Sequence, residues 1–241
     1  MNWLFDFVAS GQFSNPMGIV FVLVLIFAIV VFIFFAVKRQ TKRDQKTLVS
    51  LEQFAADEKM HFSVEVNQGV AKFVQDYGVG SLYEPSAMVR HVFWAEYRDV
   101  LWFRAFEYYY LVPSSNGATT LRFLVAQLDL PFHVPDLQVR EEDVFSRIGT
   151  AFGKQDIVVG SKAFDRRFRV RGDDEEAIRA FLNEDVRAWM MKNDYPAFEA
   201  KGHRVMIFKG GEMTKEFVLE SRNLLLEFWD VLPKDMKEGV N

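Results

Sequence analysis

Hydrophobic and polar positions divide the chain near residue 38. From Met17 to Val37 (MGIVFVLVLIFAIVVFIFFAV) no position carries a charged or polar side chain, and seventeen of these 21 residues are Leu, Ile, Val or Phe. At 1.5 Å per residue such a helix is roughly 31 Å long, the thickness of a hydrocarbon core. Its transfer into lipid is favourable by about 5–10 kcal/mol as an upper bound. The pattern predicts one transmembrane helix over residues 17–37. A cleaved signal peptide fits poorly, because residues 1–16 hold no Lys or Arg and the apolar run ends directly against Lys38-Arg39, without the small-residue cleavage site such a peptide needs.

On the N-terminal side, Trp3, Leu4, Phe5, Phe7 and Val8 alternate with Asn2, Asp6 and Ser10. This predicts a short amphipathic segment over residues 1–16 in the outer membrane interface, turned into the span by Asn15-Pro16. On the C-terminal side, Lys38, Arg39, Lys42, Arg43 and Lys46 form a basic collar. Positive charge is retained in the cytoplasm, so the expected orientation is N-terminus outside, with a cytoplasmic domain over residues 60–241. Residues 38–59 join the two, and Leu48, Leu51 and Phe54 recur at helical spacing there. The collar also suits anionic headgroups, making membrane lipids an expected partner.

Beyond His61 the period changes. Arg90–Tyr97, Val100–Val112 and Thr119–Leu130 read as successive strands of an antiparallel meander, the last two joined across Pro113-Ser114-Ser115-Asn116-Gly117, with Pro131 and Pro135 closing the region. Apolar residues on both faces imply a sheet covered on both sides. A short helix is expected over 141–152, and strands over 157–159 and 164–170. Asp173-Asp174-Glu175-Glu176 then starts a helix burying Ile178, Phe181 and Leu182, and Asn183 starts another carrying Val186, Trp189 and Met190. A strand over 204–208 and a closing helix from about Thr214 to Leu232, stopped by Pro233, complete an α+β fold with one sheet and packed helices.

Composition narrows the chemistry. The chain has 29 basic and 33 acidic residues and no cysteine, so neither disulfides nor thiolate metal sites form. Five of the bases but only two of the acids precede residue 47, leaving the domain acidic, which argues against a nucleic-acid partner. The four histidines, His61, His91, His133 and His203, lack metal-ligand spacing, and no cofactor is implied. Gly149–Gln155 lacks the full spacing and magnesium-binding hydroxyl of a phosphate loop, Gly78-Val79-Gly80 lacks a third glycine, and Ser161 lies outside a nucleophile elbow. The aromatic run Phe93–Tyr110 fits core packing better than a base-stacking platform.

If residues 164–170 form a strand, alternation places Arg166 beside Phe164, Phe168 and Val170, with Arg167, Arg169 and Arg171 on the opposite face. Arg166, Arg167 and Arg169 are therefore the candidate anion or ion-pair residues. An inward Arg166 requires an acidic or carbonyl partner.

Residues Gly160–Val170 (GSKAFDRRFRV), the acidic helix start after them, the preceding Leu130-Pro131 and the closing Leu232-Pro233 resemble a family of uncharacterised bacterial membrane-anchored proteins classed as a domain of unknown function, over about residues 120–233. The resemblance implies a bacterial inner-membrane origin and transfers no catalytic residue. Many members of that family have two spans, whereas this chain has one. The reading from residues and resemblance together is a non-catalytic, membrane-tethered accessory or adaptor module, with another membrane or membrane-associated protein as partner. The alternative is a lipid or small-ligand binding domain at the inner membrane surface.

Overall fold

A computed structural model describes residues 16–65, 87–114, 117–141, 156–193 and 197–237. The expectations for residues 1–15, for the helix over 141–152 beyond Glu141 and for Gly78–Gly80 lie outside the described residues. The chain divides into two units, Met1–Ser50 and Leu51–Asn241.

Helix α1 spans Pro16–Asp57. Within it, Val22–Arg39 is long and apolar enough to cross a membrane, and its side chains bury nothing in the structure. The segment 38–57 continues this helix, and Leu51, Phe54 and Ala55 enter the core of the second unit.

The second unit is built on a six-stranded antiparallel sheet in the order β1 (His61–Glu65), β2 (Met88–Tyr97), β3 (Leu101–Ser114), β4 (Gly117–Glu141), β5 (Phe168–Gly172), with β6 (Ala197–Gly210) on the other edge of β4. Strand β4 is the spine. Its first half pairs with β3 and its second half with β5 on the same edge, while β6 runs along the opposite edge. The meander expected for β2, β3 and β4 is present, but Pro131 and Pro135 do not end β4. The ladder to β3 stops at Asp129 and that to β5 starts at Leu137, and between Asp129 and Leu137 the β6 side pairs only at Val134 with Gly202. The prolines thus occupy the stretch where the ladder does not need their missing N–H groups. The irregularity lets the sheet curl sharply. Ala197 faces Arg140 across β4–β6, and Phe208 lies eleven positions further along β6, about 36 Å away on a straight strand; yet the Arg140 guanidinium is 5.5 Å from the Phe208 ring.

Two clusters fill the two faces. The larger carries Phe93, Phe103, Leu128, Val139 and Ile207, covered by the helices. The smaller lies on the concave face and contains Val89, Val92, Phe106, Tyr108, Phe208 and Ala197. Helix α3 (Glu175–Phe181) is N-capped by Asp174, α4 (Glu184–Lys192) by Asn183, and α5 (Lys215–Val231) by Thr214. In each case the cap side chain accepts from the third residue beyond it, satisfying an N–H with no intrahelical partner. The inward faces expected for these helices are buried, including Ile178, Phe181, Trp189, Met190, Phe217, Leu225 and Phe228.

Two local expectations are corrected. Residues 164–170 are not one strand: Lys162–Arg167 form helix α2, and β5 begins only at Phe168. The Ser161 hydroxyl accepts from the Phe164 N–H and the Asp165 carboxylate from the Val159 N–H, and these local bonds favour a helical turn over extension. Residues 157–159 form no regular strand, although the Ile157 N–H donates to the Val170 carbonyl at 2.8 Å.

Candidate functional site

Glu107, on the aromatic strand β3, is a buried carboxylate held well below its ordinary pKa. It alternates with Phe106 and Tyr108, which face the smaller cluster, and is only 1 % exposed. Arg90 of β2, its cross-strand partner, donates from Nη2 to Oε1 at 2.6 Å. His91 places Nδ1 3.2 Å from Oε2. A carboxylate only accepts, so this nitrogen carries the proton and the tautomer is fixed. The backbone N–H of Met213, just before α5, also donates to Oε2 at 3.4 Å.

The sheet distorts to make this arrangement. The β2–β3 register shifts between Arg90 and Phe93, and His91 there has φ of 51°, a left-handed conformation uncommon for a residue with a Cβ. This extra residue lets Arg90 and His91, neighbours that would point to opposite faces of a regular strand, reach the same carboxylate. Phe62 of β1 lies nearly parallel to the His91 ring at 6.5 Å, and the Arg90 guanidinium lies over Tyr109 at 5.1 Å. Burial alone would raise the Glu107 pKa. The hydrogen bonds from His91 and Arg90, with their charges, more than offset it and hold the carboxyl at about 2. The carboxylate therefore remains ionised and acts as an acceptor that clasps β2, β3 and the entry to α5 together. It is a poor proton acceptor near neutrality.

Further polar groups bind the strands around β4. Arg140 is fully buried and donates to Glu199 at 2.7 Å. Asp129 accepts from Arg104 at 2.5 Å and from Arg204 at 2.7 Å. His133 and His203, 70 positions apart in sequence, have ring centroids 3.7 Å apart at the β4–β6 irregularity. Among the described residues, no three or more His, Asp or Glu gather in a metal-binding group.

The basic residues singled out from sequence do not converge on one site. Lys38, Arg39 and Lys46 are exposed on α1, and Lys42 and Arg43 occupy the same helix. Arg166 is exposed on α2 instead of facing inward, because that segment is helical. Arg167 donates to Glu141 at 2.7 Å and to the Met191 carbonyl at 3.0 Å. Arg169 lies 3.8 Å from Asp156. Sequence reasoning missed Glu107, Arg90 and the bulge at His91; the available signal was a lone carboxylate inside the apolar run 100–112.

No protein-family model and no curated protein matches the chain. Among solved structures, the crystal structure of the mycobacterial trehalose monomycolate transport factor A, TtfA, is similar, with a TM-score of 0.49 and 11% identity, covering 76% of this chain and 94% of that chain. A likeness at that level carries no functional inference.

Proposed function

We propose that this chain is a non-catalytic accessory or adaptor module tethered to the cytoplasmic face of a membrane, where it engages another membrane or membrane-associated protein. The observation that carries this reading is the Val22–Arg39 segment, an apolar helix that buries none of its side chains in the fold. Phe27 is 70 % exposed, and Leu23, Ile29 and Phe35 are also exposed. A bilayer satisfies such a surface, whereas water does not. The basic collar from Lys38 to Lys46 supports the inward orientation of the domain. The Glu107 clasp is a packing device, its three donors joining β2, β3 and the entry to α5. The ligand-binding alternative that relied on Arg166 has less support, since that side chain is exposed on α2.

The test is purification of full-length chain from its native membrane in mild detergent, followed by mass spectrometry. One protein recovered at fixed stoichiometry, and lost when Val22–Val37 is exchanged for an unrelated span or when domain surfaces are substituted, is the expected result. Homogeneous recovery of the chain without a protein partner, or specific turnover of a metabolite by it, contradicts the proposal.

A further inference from the structure

Strands β3 and β4 run past the rest of the sheet. Among the described residues, β2 last pairs with β3 at Met88 and Tyr109, and β6 last pairs with β4 at Gly210 and Phe123. From Tyr110 with Leu121 to Ser114 with Gly117, the two strands pair only with each other. This two-stranded ribbon is about 17 Å long at the usual rise per residue. A hairpin with no further strand and no covering layer is marginally stable in water. On one face of the ribbon Leu111 is 56 % exposed, and Pro113 and its cross-strand partner Ala118 are exposed beside it. On the other, Tyr110 and Leu121 pack against the smaller cluster at the base.

The ribbon is also uncharged. Tyr108–Leu121 (YYYLVPSSNGATTL) contains no Asp, Glu, Lys, Arg or His, in a chain that is 26% charged. A protein interface of ordinary composition has a polar rim in which charged groups pair, and this segment offers none. Its composition suits the boundary between headgroups and acyl chains instead. Leu, Val and Pro lose water there, Ser, Thr and Asn keep polar partners, and Tyr, apolar in the ring and polar at the hydroxyl, is enriched at that depth.

The chain enters the second unit at the ribbon's end of the sheet. Helix α5 starts beside Glu107, which accepts from the Met213 N–H, and ends near Asp230, which accepts at 2.9 Å from Arg98 at the β2–β3 turn, the far end of that hairpin. The last turns of α1 run alongside α5 in the same sense: the Lys215 ammonium lies 5.9 Å from the Phe54 ring, and Glu58 accepts from Arg222 at 2.6 Å. Followed backwards from Glu58 to Leu51, α1 therefore heads toward the end from which the ribbon projects.

We propose that the tip of the β3–β4 ribbon inserts into the interfacial layer of the bilayer that holds the tether, Leu111, Pro113 and Ala118 entering to a depth of about 5–10 Å. The inference rests on the membrane tether proposed above and adds a second lipid contact, made by the folded domain and independent of charge. The lengths allow it: α1 continues from Arg39, the end of the apolar segment, to Phe54 through about 22 Å of helix, and β3 extends about 24 Å from Glu107 to Ser114.

The test uses the full-length chain, which has no cysteine, reconstituted into phosphatidylcholine vesicles and carrying one nitroxide label at a time on Leu111→Cys, Ala118→Cys, Phe27→Cys or Glu176→Cys. Relaxation of each label by oxygen, which concentrates in lipid, is compared with relaxation by a water-soluble nickel chelate present on both sides of the bilayer. The oxygen-to-chelate ratio at positions 111 and 118 is expected to lie several-fold above that at position 176 and below that at position 27. A high ratio at 27 with ratios at 111 and 118 equal to that at 176 overturns the insertion and leaves the tether standing; a ratio at 27 equal to that at 176 overturns the tether and the insertion with it. Labels at 111 and 118 that are water-exposed in the vesicles but shielded from both reagents in native membranes would assign the ribbon to a protein partner and overturn the lipid contact.

Discussion

Replacing Glu107 by glutamine keeps the side-chain volume but removes the charge on which Arg90 and His91 converge. The native carboxyl is held at about 2, against an ordinary value of 4.5. This depression corresponds to roughly 3 kcal/mol of folding free energy. Because the folded-state pKa is lowered, that contribution is complete above pH 4.5 and is lost as the pH falls through the carboxylate range toward 2. At pH 7 the variant should be less stable by roughly 3 kcal/mol, with its thermal midpoint lower by about 6–12 °C for a domain of this size. The assay is urea unfolding of full-length chain in nonionic micelles, followed by tryptophan fluorescence from about pH 7, where the contribution is complete, down to about pH 2.5, where most of it is lost. The wild-type curve should approach that of Glu107→Gln as the pH falls, while the variant itself changes less. A difference below about 1 kcal/mol at neutral pH, or one that persists undiminished at the acid end, would refute the reasoning.

Other perturbations follow from packing and from the bilayer. Glu199→Ala leaves the fully buried Arg140 without this carboxylate and should cost about 3–5 kcal/mol in denaturant unfolding, whereas Arg140→Met with Glu199→Leu should recover most of it. Gly172→Ala drives a Cβ into the Asp136 carbonyl oxygen and Ile178; a loss of at least about 2 kcal/mol is expected, measured by the same unfolding assay. Substituting Val24, Phe27 and Val30 together by arginine adds about 8–10 kcal/mol to membrane insertion, which should move the chain from the carbonate-washed membrane fraction to the supernatant.

The helices were legible because local signals agreed with burial. Asp174, Asn183 and Thr214 cap the predicted starts, and the apolar positions after them meet the core. Strands β2, β3 and the first half of β4 were legible from their β-branched and aromatic content. The continuation of β4 through two prolines was not, because tolerance of proline depends on which N–H groups the neighbouring strands leave unused. Similarly, FDRRFRV carries strand-like alternation, and the local bonds made by Ser161 and Asp165 turn its first part into α2. The pairing of His133 with His203 and the clasp at Glu107 are products of an irregular ladder and of a bulge. Both join residues far apart in sequence or twist one strand out of its regular alternation, so no local spacing announces them.

The orientation of the membrane tether is the claim on which the proposed role depends most. Because the chain contains no cysteine, single substitutions such as Ser10→Cys and Glu176→Cys provide probes without background. Labelling with a membrane-impermeant maleimide in intact and permeabilised cells reads the topology directly. The thiol introduced at position 10 is expected to react in intact cells, and the one at position 176 only after permeabilisation; reaction of the domain position in intact cells, or recovery of both variants in the soluble fraction, would contradict the proposed tether.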